Sequence, residues 1–100
     1  MMNSSTMGIN ALFFKIMANK DRLKIMSSVS NKPKTVTQIC NDTGFEQSWV
    51  SHSLRILREG GIVDSKREGK NIYYKLDNGI KPVIIAANKI TTKYKSKGGE

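Results

Sequence analysis

The sequence predicts an α+β fold, mostly α, with about five helices and one two-stranded β-hairpin. Three observations predict it. Apolar residues recur at helical spacing near both ends and through the middle of the chain. A short capped segment, a glycine break and a second helical segment follow one another between Thr35 and Arg58. Beyond them, Asn71 to Leu76 alternates apolar and polar residues after a Glu68-Gly69-Lys70 turn.

The first helix is expected over residues 7–18, where Ile9, Leu12, Phe13, Ile16 and Met17 follow the i, i+3, i+4, i+7, i+8 template. Met1 to Thr6 is a polar lead, expected to be mobile. The apolar stripe needs a cover, and within one chain the hairpin or the last helix could supply it. Asn19 is a good N-cap for a second helix, with Asp21 in the first turn and Leu23, Met26 and Val29 as its apolar stripe. Ser30 to Lys34 forms a loop around Pro33. Lys32 and Lys34 there are placed either to touch phosphates or simply to be solvated.

Thr35 opens a third helix through a capping box with Gln38, running to Cys40, before Asn41-Asp42-Thr43-Gly44 breaks it. The next helix, Gln47 to Arg58, buries Val50, Leu54 and Leu57, with Ile56 at the margin. Its opposite face carries Gln47, Ser48, Ser51, His52 and Arg55. Gln can bond adenine bidentately, Arg can bond guanine, and Ser can bond a base or a phosphate, so this face suits base edges. Gly60-Gly61 ends the helix. Strands Ile62–Arg67 and Asn71–Leu76 form the hairpin, with Ile72, Tyr74 and Leu76 on its half-buried face and Arg67, Lys70 and Asn71 at the tip.

Asp77-Asn78-Gly79 is a turn, and Pro82 fits the first turn of a last helix over residues 80–94. Ile80, Val83, Ile84, Ala87, Ile90 and Tyr94 are spaced for a helix-helix seam. Residues 95–100 read as a frayed tail.

One hundred residues fit a single domain, 1–100, with a modest core that dimerisation could enlarge. The net charge of +9 points first to a polyanionic partner, with simple solubility as the plain alternative. A single cysteine excludes an internal disulfide or a cysteine-pair metal clamp. No stretch reaches the roughly 18 to 20 apolar residues of a membrane span, which with the lone cysteine points to the cytoplasm. His52 is the only histidine and lacks metal-ligating neighbours, so a DNA contact is its stronger reading. Trp49 is expected to pack, the alternative being a ring presented to a thymine methyl or sugar. Cys40 reads as a small buried residue rather than a thiol sensor. With no glycine-rich phosphate loop and no carboxylate cluster, no catalytic residue, metal site or cofactor is assigned and an enzyme is the poorest reading.

The order of segments resembles the winged-helix regulators of the arsenic-repressor (ArsR/SmtB) type. The resemblance runs from about Met17 to Leu76, through Asn19 to Met26, Gln47 to Leu54, Leu57 to Val63 and Arg67 to Tyr74. It implies a homodimeric, sequence-specific repressor with the Gln47 helix in the major groove and the hairpin as the wing. It also implies that the first helix helps build the dimer interface, and two amphipathic helices at opposite ends of a small chain point to one four-helix interface from the first and last helices of two chains, through Ile9, Leu12, Phe13, Ile16, Ile80, Val83, Ile84, Ala87 and Ile90. Many metal-responsive members carry Cys-x-Cys at the helix that here begins Thr35-Val36-Thr37, and others place Asp and His ligands on the last helix; from Asn78 to Tyr94 this chain has no Asp, Glu or His. The family also generally has a small residue where Trp49 stands.

Together these readings predict a metal-independent dimeric regulator that binds a palindromic site on double-stranded DNA, with no membrane partner and its inducer open. Thr35, Gln47, Ser48, Ser51, His52, Arg55, Arg67, Lys70 and Asn71 are the expected DNA contacts. An architectural protein that coats DNA without sequence preference, and a winged helix that docks on another protein, are the competing classes.

Overall fold

The computed structural model describes residues 4–96, with burial described for residues 11–90. The elements are α1 (Ser4–Met17), α2 (Lys20–Ser28), α3 (Val36–Thr43), α4 (Gln47–Glu59), β1 (Val63–Glu68), β2 (Asn71–Leu76) and α5 (Lys81–Ser96). This is a winged helix-turn-helix, mostly helical, with a two-stranded antiparallel hairpin.

Local chemistry fixes the boundaries. Asn19 Oδ1 accepts from the Arg22 N–H at 3.0 Å, starting α2. The Arg22 side chain turns back, its Nε donating to Ile16 O at 2.6 Å, and so satisfies a carbonyl that the end of α1 leaves open. Thr35 and Gln38 form the reciprocal capping box of α3, at 2.9 and 3.2 Å. Gly44 ends α3 in the left-handed region at φ 79°. At the end of α4, Gly61 (φ 75°) donates to Arg58 O at 3.0 Å and Ile62 to Leu57 O at 2.9 Å. That bond pair is a Schellman motif, and it turns the chain from helix into wing.

The core gathers Ile25, Met26 and Val29 of α2, Ile39 of α3, Val50, Leu54 and Leu57 of α4, and Ile62, Val63 and Leu76 around the hairpin base. Ile25, Met26, Ile39, Val50, Leu57 and Ile62 have no exposed surface, and each such side chain contributes about 1.5–3 kcal/mol. Met17, Ile80 and Ile84 join from α1 and the start of α5.

Several expectations shift. On α2 Ile25 takes the buried place expected of Leu23, which is exposed beside Lys20 and Lys24, because Ile25, Met26 and the C-capping Val29 form the inward arc. The third helix runs on through Asn41, Asp42 and Thr43. There the Thr43 hydroxyl donates to Ile39 O at 2.8 Å and accepts from Phe45 N–H at 3.2 Å, and side chains outside the helix hold Asp42. Ile62 precedes β1 and sits in the core, and Glu68 belongs to the strand, leaving Gly69-Lys70 as a two-residue turn between Glu68 and its partner Asn71. Ser4–Thr6 are helical, as are Lys95 and Ser96; Met1–Asn3 and 97–100 lie outside the described residues, as do the side chains of Ile9 and Tyr94.

Lys34 adds a feature that sequence periodicity did not signal. Its N–H donates to Tyr74 O at 2.9 Å and its carbonyl accepts from Tyr74 N–H at 2.8 Å, a one-residue antiparallel bridge on the free edge of β2. At Tyr74, β2 is therefore flanked on both sides, by Ser65 of β1 and by Lys34.

Candidate nucleic-acid interface

The α4 helix is amphipathic because Val50, Ser53, Leu54 and Leu57 turn inward at spacings of three and four. The remaining positions must then face solvent, and Gln47, Ser48, Ser51, His52 and Arg55 are all exposed. They form one contiguous polar row. Arg55 Nη2 stands 3.5 Å from His52 Nδ1, and Arg58 Nη1 donates to Ser65 Oγ at 3.4 Å, tying α4 to β1.

The wing presents a second group. Gly69 takes φ 63° at the first turn position, the backbone shape that a tight hairpin requires there. Arg67, Lys70 and Asn71 are exposed around it, and Arg67 Nε donates to Gly69 O at 3.4 Å. The Lys66–Glu68 pair at 3.8 Å is exposed on both sides and is worth about 0–1 kcal/mol. Thr35 is the N-cap of α3. It is half-buried, its oxygen serves the α3 cap, and its hydroxyl hydrogen is left as a donor.

Two side chains differ from expectation. Trp49 is 44% exposed rather than packed, its Nε1–H donating to Asp21 Oδ2 at 2.9 Å and its ring stacked on His52. Lys34 is ion-paired with Asp42, whose Oδ2 also accepts from Ser28 Oγ at 2.7 Å. The Lys34 ammonium and the Ser28 hydroxyl together hold the Asp42 carboxyl below the usual carboxylate range. Lys32 remains exposed. Cys40 is half-buried and packs against the core. Among the described residues there is no group of three or more His, Cys, Asp or Glu side chains arranged to hold a metal ion.

Residues 19–65, which hold the helix-turn-helix with its exposed hydrogen-bonding row and the start of the hairpin, match the family described as "Bacterial regulatory protein, arsR family". The match takes in just under half of the chain. The HTH-type transcriptional regulator NmtR of Mycobacterium tuberculosis is 43% identical over 60 residues, 60% of this chain and 50% of that protein. The transcriptional repressor SmtB homolog of Synechocystis is 38% identical over 71 residues, 70% of this chain and 54% of that protein. The chain thus spans about half the length of these relatives. In three dimensions it is similar to NolR from Sinorhizobium fredii, with TM-score 0.78 and 28% identity over 90% of this chain and 94% of that one. A homodimeric winged helix-turn-helix DNA-binding domain from Mycobacterium bovis shares the fold at TM-score 0.86 and 23% identity, over 94% of this chain and 88% of that one. Both named relatives are regulators of transcription.

Proposed function

We propose that this chain is one DNA-binding unit of a dimeric, sequence-specific transcriptional regulator that represses by occupying its site and does so without a metal. The observation that carries the reading is the α4 row: Gln47, Ser48, Ser51, His52 and Arg55 are exposed together on the second helix of the helix-turn-helix. Such side chains match the donors and acceptors of base edges in the major groove. Arg67, Lys70 and Asn71 of the wing and Thr35 at the α3 N-terminus add backbone contacts, and the net charge of +9 supplies the long-range attraction.

The dimer rests on the arms. Leu12, Val83, Ala87 and Ile90 are exposed, Phe13 and Ile16 are half-buried, and Ile80 and Ile84 fix the root of α5 in the core. A second copy covers this apolar surface in our reading. Two such units match half-sites about one helical turn apart in a palindrome. Metal independence is supported by Thr35 and Thr37 where metal-responsive members carry thiols, and by an α5 without Asp, Glu or His. No helix among the described residues is long and apolar enough to cross a membrane.

Fluorescence anisotropy with the gene's own upstream duplex and a scrambled one, titrated across salt, tests the reading. Specific binding should exceed scrambled binding by about a thousandfold or more. Equal affinities and equal salt slopes would instead support an architectural coat driven by the net charge.

A further inference from the structure

Trp49 lies beside the α4 row rather than within the core, and it is the hub of a chain of contacts. Its indole N–H is held by Asp21 of α2 at 2.9 Å, which fixes the ring against the scaffold. The His52 imidazole stacks on that ring, centroids 5.7 Å apart and planes 27° apart. Arg55 Nη2 in turn stands 3.5 Å from His52 Nδ1. A guanidinium can only donate, so a hydrogen bond between the two needs Nδ1 as acceptor, which is the tautomer with its proton on Nε2. Residues 49, 52 and 55 recur every three positions, so the chain of contacts climbs one side of the helix.

We infer that Asp21 and Trp49 are positioning residues for base reading: they order the His52 Nε2–H donor and the Arg55 guanidinium before DNA arrives and so set sequence discrimination. The inference rests on the base-reading role of α4 proposed above. Its physical basis is entropy. A free arginine gives up much rotamer freedom on docking, whereas one already held by a neighbour gives up less. Preordering benefits only the duplex whose bases meet the guanidinium in that pose. Nonspecific phosphate attraction depends on charge, and neither Trp49 nor its stacking on His52 alters the charge of the row.

The test uses the full chain, a duplex enriched by that chain from a random-sequence library, and a scrambled duplex. Trp49→Ala should cut the ratio of enriched to scrambled affinity about tenfold, with scrambled affinity and salt slope unchanged. Asp21→Asn, which keeps an acceptor oxygen, should restore most of the ratio that Asp21→Ala loses. In a background carrying both His52→Ala and Arg55→Ala, Trp49→Ala should cost little further. A full, additive loss there would show that Trp49 touches DNA directly and would overturn the inference, as would equal losses on both duplexes. Imidazole nitrogen shifts in the free protein give an arm that needs no DNA: the Nε2–H tautomer is expected in the parent and a tautomer mixture in Trp49→Ala. A predominantly Nδ1–H imidazole in the parent overturns the chain of contacts. If the library enriches no sequence, base reading and the discrimination role fall together, while the shifts still judge the contacts themselves.

Discussion

The block formed by α2, α3, α4 and the hairpin base differs from the arms α1 and α5 in how its apolar residues are covered. In the block, Ile25, Ile39, Val50, Leu57 and Ile62 are fully enclosed by the same chain. In the arms, Leu12 and Phe14 are each 59% exposed and Ile90 is 67% exposed, although the arms carry comparably regular apolar spacing. The same periodicity therefore serves two ends. It closes a core where partners are near in sequence, and it leaves an unfinished surface where they are not. The radius of gyration, 14.9 Å against about 13 Å for a compact chain of this length, reflects the projecting arms.

That contrast can be broken most forcefully at Leu54. Leu54→Ala, at a site 1% exposed, should destabilise the chain by about 2–5 kcal/mol in urea unfolding. Ile90→Asp should leave the helical circular dichroism in place and instead turn the sedimenting species into a monomer at micromolar concentration. A parent that already sediments as a monomer would remove the dimeric reading of the arms.

The next effect in size separates the α4 row from the wing. Arg55→Ala should weaken specific binding by about 1–3 kcal/mol and relax sequence preference, whereas Lys70→Ala should weaken all duplexes alike. Anisotropy against both duplexes distinguishes them. Gly61→Ala comes after, at about 1–2 kcal/mol in denaturant unfolding. A Cβ there meets nothing within 4 Å, so the cost is the left-handed backbone at φ 75° alone.

The smallest effect concerns Asp42. Because the fold depresses its pKa, the Lys34–Asp42–Ser28 cluster contributes stability above the ordinary carboxylate range and loses it as pH falls through the lowered folded value. Asp42→Asn should flatten that acid limb of the stability profile. The carboxyl is exposed, so the change in unfolding midpoint is small.

Features set by neighbours in sequence were legible before any coordinates. The Thr35–Gln38 box, the Asn19 cap, the Gly44 break and the Val50, Leu54 and Leu57 stripe all depend on residues within a turn or two of each other. Features that need distant partners were not. Nothing in spacing relates Arg22 to a carbonyl of α1, Lys34 to Tyr74 or to Asp42, or Asp21 to Trp49. Trp49 shows the reason best: size and apolarity predict burial, yet one carboxylate on a neighbouring helix supplies a partner for its N–H and leaves the ring half in solvent. In the candidate site, helical geometry made the exposed row readable, whereas the Asp21–Trp49 contact beside it required the packing of α2 against α4.

The bridge at Lys34 gives the hairpin a fulcrum. Lys34 is anchored in backbone to Tyr74 of β2 and in side chain to Asp42 near the end of α3, and it immediately precedes the Thr35 cap. The tip at Gly69-Lys70 lies beyond that point, so the hairpin is fastened to the start and the end of α3 at its root, through backbone and side chain of one residue, while its tip stands clear of the anchor.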